Sequence, residues 1–227
     1  MRSFDEIVAL AEANKGGEDA LADLLKGSQP KSAAELKAVT DDRWLSMFTR
    51  CIFQSGFSWK VIDAKWPGFE EAFHGFDVPF LSFQPDEFYE GLTSDTRIVR
   101  NGAKIRSVQA NAVFLSDLAK EHGSASAFFA SYPETDQIGL LELLKKKGNR
   151  LGGNTGQYAL RFMGKESFIL SKDVVNALMR ENVIENASPS KKNMAAIQAA
   201  FNEWKSETGR NLTEISRILA FSTGPSN

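Results

Sequence analysis

The chain has one cysteine, Cys51, and only two histidines, His74 and His122. A lone cysteine excludes an internal disulfide framework and a cysteine-based zinc cluster. Two histidines so far apart in sequence suggest structural roles rather than a metal site. Long apolar runs are also missing. No stretch approaches the roughly 20 residues that cross a bilayer, and the N-terminus carries no signal-peptide pattern. Convincing two-residue alternation of apolar and polar side chains is absent, as is any internal repeat. These absences together set the first expectations: a cytoplasmic protein with no metal, no cofactor and no membrane partner.

The 227 residues that are present suit one or two domains with a substantial core, and 42% apolar and 25% charged residues are ordinary for a globular chain. Nearly every segment has helical spacing. Residues 4–14 and 17–26 place apolar side chains on one face, with Gly16 and Gly17 between them. Ser32 suits the cap of a short helix, and Asp41 or Asp42 that of the next, Arg43 to Phe53. A Gln-Ser-Gly-Phe-Ser break precedes a helix from Trp59, which Pro67 should disturb; Pro79 and Pro85 mark a loop. A longer helix runs from Ala103 to His122, Ser171 caps one reaching Val183, and two more cover 191–206 and 211–221. The expected class is all-α. Its divisions are a helical N-terminal extension (1–40), a principal domain (41–222) and a frayed tail (223–227).

One stretch departs from the slightly acidic whole, whose net charge is −2. Between Leu143 and Lys165 stand Lys145, Lys146, Lys147, Arg150, Arg161 and Lys165, with no acidic residue. Leu151-Gly152-Gly153-Asn154-Thr155-Gly156-Gln157-Tyr158 within it has the form of a helix–hairpin–helix turn. Glycines let backbone approach a ligand, and the N–H groups at a helix start near Thr155 would face it. Gly153, Thr155 and Gly156 are thus candidate phosphate contacts, with Lys145, Lys146 and Arg150 adding salt-sensitive attraction. The plainer alternative is a glycine cap between packed helices. A nucleotide-binding P-loop is disfavoured, since no Gly-Lys-Ser/Thr follows and no strand precedes.

Three blocks in order resemble the DNA-3-methyladenine glycosylase I family, within the helix–hairpin–helix DNA glycosylase superfamily. They are FTRCIFQSGFSWKVIDAKWPGFEEAFHGFD (Phe48–Asp77), RIVRNGAKIRSVQANA (Arg97–Ala112) and LKKKGNRLGGNTGQYALRFMG (Leu144–Gly164). The resemblance implies a two-lobed, all-α fold with a DNA-binding cleft, and damaged duplex DNA as partner. Family members commonly hold zinc through cysteines and histidines near the chain ends; those ligands are missing here. The family's glutamate three residues before Gln54 is replaced by Cys51, which opens the question of base specificity.

The implied activity is base excision: a monofunctional glycosylase hydrolysing the N-glycosidic bond of alkylated purines such as 3-methyladenine. Asp173 matches the superfamily's catalytic aspartate, although an aspartate in a helix's first turn also serves the helix dipole. Gln157 stands where bifunctional members carry a lysine nucleophile, so no lyase step is expected. Trp59 and Tyr158 are candidates to stack the extruded base, with Cys51 and Gln54 beside them. Gly56 and Phe57 tip a loop suited to wedge the duplex, or else Phe57 packs as core. Arg97, Arg100, Lys104 and Arg106 form a second cationic cluster, for flanking phosphates or simply a solvated face. Two rivals stand beside the enzyme: a catalytically silent DNA-binding or lesion-sensing module, and a helical interaction protein whose hairpin is only structural.

Overall fold

A computed structural model describes residues 2–224; among these residues there are fourteen α-helices, two short 3₁₀ turns and no strand. The all-α expectation holds. Of the tail expected at 223–227, residues 225–227 lie outside the described residues. In chain order the helices are α1 (Phe4–Lys15), α2 (Glu18–Leu25), α3 (Ala33–Lys37), α4 (Asp41–Gln54), α5 (Trp59–Ala72), α6 (Val78–Phe83) and α7 (Asp86–Leu92). They continue as α8 (Gly102–His122), α9 (Ala125–Ser131), α10 (Gln137–Lys147), α11 (Asn154–Met163), α12 (Lys172–Arg180), α13 (Lys191–Thr208) and α14 (Leu212–Phe221). None is long and apolar enough to cross a membrane.

The chain divides into two compact units. One comprises Lys31–Tyr132 and Leu140–Lys165; the other holds the residues up to Pro30, Pro133–Gly139 and those from Glu166 onward. In the first, α4 packs against α5, α8 and α11, while α8 also packs on α6, α7 and α9. Nine residues of α4 are buried, among them Trp44, Leu45, Phe48, Ile52 and Phe53. Trp44 stacks on Phe129 at 4.1 Å between ring centroids, and Phe53 meets Phe69 edge-on at 4.7 Å. In the second unit, α14 packs against α1, α12 and α13. Phe168 stacks on Phe201 at 4.2 Å, and Trp204 touches both Phe201 and Phe4. The N-terminal helices therefore share a core with the C-terminal ones.

Several local outcomes differ from the sequence pattern, each for a physical reason. Ser32 does cap α3, in a reciprocal capping box with Glu35. Asp41, however, does not cap its own helix: its carboxylate accepts the N–H groups of Ala125 (2.9 Å) and Ser126 (3.0 Å) at the start of α9. Helix α5 continues through Pro67. Trp66 stacks on Phe69 and Phe76, and Glu70 accepts from Trp66, Ser46 and Arg43, so packing on both sides of the proline outweighs its missing N–H. Pro79 lies in the first turn of α6, a position proline tolerates, rather than in a loop. Helix α12 stops at Arg180, short of Val183, because Asn182 turns left-handed with φ 57°.

One buried hydroxyl ties this first unit together. Ser126 Oγ accepts the Trp44 indole N–H at 2.8 Å and donates to the Val39 carbonyl. Ser126→Ala should cost about 2–4 kcal/mol, because two buried polar groups lose their partner at about 1–3 kcal/mol each with partial relaxation. A fall in the urea midpoint at unchanged m-value is the expected result.

Candidate functional site

The helix–hairpin–helix turn lies between α10 and α11, and the sequence places it there by two conformational demands. Gly153 caps α11 with φ 59° and ψ −141°, a combination open essentially only to glycine. Gly156 has its Cα so close to the chain that a Cβ would stand 2.4 Å from the Leu151 carbonyl oxygen. Leu151 is buried and anchors the turn in the core, while Arg150 before it is left-handed with φ 61°. Beneath the turn, Asn111 of α8 is fully buried and bonds Asn149 twice: its Oδ1 accepts the Asn149 N–H at 2.8 Å, and its Nδ2 donates to the Asn149 carbonyl at 3.0 Å. Lys145 and Lys146 on the last turn of α10, and Arg150, point their charges to solvent.

Helix α4 and the loop after it face this hairpin. Cys51, Gln54, Ser55 and Trp59 line one cavity of about 120 Å³ with Asn154, Thr155 and Tyr158 of α11. All four residues expected in a base pocket (Trp59, Tyr158, Cys51, Gln54) therefore meet on one cavity, together with Thr155 from the phosphate set. Trp59 is 45% exposed and stands edge-on to Tyr158 at 5.6 Å and to Phe162 at 6.0 Å. Phe162 did not emerge from the sequence; its spacing from Tyr158 on one helix face was the signal available. Phe57 is 40% exposed, which removes the reading that it is core.

The pocket's polar groups are held firmly. Gln54 is buried, and its Nε2 donates to Asp63 Oδ1 at 3.0 Å, an oxygen that Arg50 also grips at 2.8 and 3.0 Å. Burial pushes the Cys51 thiol up to about 12, so it stays protonated and uncharged at neutral pH. A second cavity of about 300 Å³ adjoins the turn, lined by Ile52, Ser55, Lys104, Arg150, Gly152 and Thr155. Neither cavity has a carboxylate among its lining residues.

The second cationic cluster separates into different roles. Arg97 is tied to Asp95 at 2.7 Å and Glu71 at 3.3 Å, Arg100 and Arg106 face solvent, and Lys104 turns inward. Gln157 is buried on α11 with its amide donating to the Gly153 carbonyl at 3.2 Å. Asp173 sits half-buried in the first turn of α12, within the other unit, where Ser171 Oγ accepts the Val174 N–H as the cap. His74 and His122 lie against Phe80 and Phe128. Among the described residues no group of three or more His, Cys, Asp or Glu side chains is arranged to hold a metal.

The class follows from the architecture: the fold is that of the helix–hairpin–helix DNA glycosylases. A solved structure of the Methanocaldococcus jannaschii 8-oxoguanine DNA glycosylase superimposes with a TM-score of 0.56 at 16% identity, covering 95% of this chain and 92% of that one. The same organism's 8-oxoguanine glycosylase/lyase, solved with a 15mer DNA containing 8-oxoguanine, gives 0.54 at 14% identity over 95% and 96%. More particularly, residues 37–148 match the model of the methyladenine glycosylase family, which bears out the likeness carried by the sequence blocks over that stretch. The match takes in the first two blocks and ends as the hairpin turn begins. The 3-methyladenine DNA glycosylase I of Staphylococcus aureus is also similar, at 21% identity over 56% of this chain and 76% of that one, with a TM-score of 0.47.

The protonated thiol has a direct consequence. With its pKa raised from 9.0 to about 12, Cys51 holds roughly a thousandfold less thiolate than an exposed cysteine at the same pH. Alkylation by iodoacetamide at pH 8 should be slow in the folded protein and rapid in urea. Fast labelling of the native state would contradict this pocket geometry.

Proposed function

We propose that the chain is a monofunctional DNA glycosylase of base-excision repair, hydrolysing the N-glycosidic bond of alkylated purines such as 3-methyladenine in duplex DNA. The observation that carries this reading is the meeting of Trp59 and Gln54 with Tyr158 and Thr155 on one cavity. Those residues come from two separate blocks and would otherwise have no reason to share a concave aromatic surface beside a glycine-rich turn. In this reading residues 41–222 carry the activity, 1–40 are an accessory extension, and the protein works as a monomer in the cytoplasm or on the nucleoid.

The hairpin's N–H groups at Gly153, Thr155 and Gly156 grip a backbone phosphate, with Lys145, Lys146 and Arg150 adding long-range attraction. Extrusion of the base costs a few kcal/mol, and Phe57, already exposed, fills the gap in the stack. The extruded base meets the aromatic faces of Trp59 and Tyr158. An N3-alkylated purine is cationic, and a cation over an indole gains roughly 0.5–2 kcal/mol, which separates it from undamaged adenine. Departure of the base leaves positive charge on the sugar. The carboxylate of Asp173 stabilises that charge and orients the attacking water. Gln157 has no amine to form a Schiff base, which supports cleavage of the glycosidic bond alone.

A second reading, a catalytically silent lesion sensor, is favoured by Cys51, a neutral thiol facing the pocket. One variant separates the two. Asp173→Asn in the enzyme should lower release of methylated base from treated duplex by roughly 10²–10⁴-fold while leaving DNA affinity near that of the parent. A sensor releases no base in either form. Product strands should stay intact until alkali treatment; cleavage without alkali would reveal a lyase.

The phosphate assignment has its own check. Joint replacement of Lys145, Lys146 and Arg150 by Ala should reduce the slope of log K against log salt by about 0.9 for each phosphate no longer neutralised. Affinity unchanged at low salt would leave the hairpin a purely structural turn.

A further inference from the structure

Lys104 is the one member of the second cationic cluster that the fold buries, at 7% exposure. Its Nζ donates to the carbonyls of Phe53 (3.3 Å) and Ser55 (2.5 Å), at the C-terminal end of α4. Those are carbonyls that a helix end leaves without an internal partner, and they carry the negative end of its dipole. The same ammonium lies 4.6 Å from the centroid of the Phe57 ring and 5.7 Å from that of Phe53. Each group that Lys104 touches therefore belongs to the end of α4 or to the loop that follows. Burial and the nearby charge of Arg150 both work against the cation. It is kept in place by carbonyls and rings alone, within the cavity that it shares with Ser55, Arg150, Gly152 and Thr155.

We propose that Lys104 is a positioning residue whose buried ammonium pins the Ser55–Phe57 loop and so fixes where Phe57 is presented. The role of the pinned ring rests on the reading of this loop as a duplex wedge; the pin itself does not. A cation bridging two carbonyls and a ring restrains the loop from below, where a backbone hydrogen bond such as Phe57 N–H to Gln54 O (3.3 Å) is a weak constraint. The cavity that Lys104 shares with the hairpin residues also places this restraint beside the turn assigned to the phosphate.

The test uses the full chain and two readouts. Amide exchange reports the loop without DNA: in Lys104→Met, exchange at residues 55–57 should quicken by at least about tenfold, with the core of α8 unchanged. The second readout is 2-aminopurine fluorescence, with the probe placed beside an abasic-site analogue in a duplex. Its rise on binding should fall in Lys104→Met to the level given by Phe57→Ala, and Lys104→Arg should restore much of it. If Lys104→Met does not fold, Lys104→Gln, neutral but still a donor, takes its place. Unchanged exchange overturns the pin. Faster exchange with a full fluorescence rise overturns its role in presenting Phe57. A full rise in Phe57→Ala instead overturns the reading of the loop as a wedge and leaves the exchange result to judge the pin.

Discussion

The hairpin side of the candidate site hangs from one buried amide. Asn111 has no exposed surface, and both its polar atoms are spent on the backbone of Asn149. The turn that follows contains a left-handed arginine, which costs about 1–2 kcal/mol for a residue with a Cβ, and a glycine in a region closed to other residues. Such a turn persists only if its flanks are fixed. Asn111 fixes one flank and Leu151, buried in the core, fixes the other. An amide so placed is satisfied in one register only, because any shift would leave a buried donor and acceptor unpaired. That register in turn sets the azimuth of α11, and with it which side chains face α4.

The hairpin was legible in the sequence because its requirements are local. Glycines at fixed offsets, a basic helix end and a polar helix start all lie within some twenty residues, and each has a backbone reason. The helices were legible through apolar spacing and through serine caps such as Ser32 and Ser171. What stayed hidden depends on partners far along the chain. Asn111 looks like any polar residue on a long helix until Asn149, 38 residues later, is brought above it. Lys104 reads as one of four surface cations, and only the fold turns it inward to the end of α4, about fifty residues upstream in sequence. Asp41 resembles a cap for its own helix, yet it serves the start of α9. Pro67 should disturb its helix, yet α5 runs on through it because the stacked rings of Trp66, Phe69 and Phe76 hold both sides.

The aromatic residues at the two ends of the exposure range differ in energetics. Twelve large side chains are almost wholly buried, including Trp44, Phe48, Phe53 and Trp204, and they pack in the core among many buried Leu, Ile and Val side chains. Trp59 and Phe162 are each more than 40% exposed and meet Tyr158, which lines the cavity together with Trp59. Leaving apolar area in water forfeits about 25 cal/mol per Å², so this cluster weakens the fold it decorates. Single exposed apolar residues are common on any surface. Three rings in mutual contact beside a polar loop and a glycine turn, as Trp59, Tyr158 and Phe162 are, are not, and a flat ligand with π faces is the partner that such a group suits.

Charge points the same way. The chain as a whole is slightly acidic, so attraction of a polyanion has to be local. The acidic side chains near α4 are occupied by nearby donors: Asp63 by Arg50 and Gln54, Glu70 by Arg43, Ser46 and Trp66, and Asp41 by the start of α9. The cavity beside the turn is lined by Lys104 and Arg150 without a carboxylate. Burial first and the neighbouring Arg150 guanidinium second both work against the Lys104 cation, and an anion entering beside the two improves the electrostatic energy of the site. An all-helical protein with modest net negative charge thus acquires a positive mouth by pairing its acids elsewhere, and the hairpin's own N–H groups lie at that mouth.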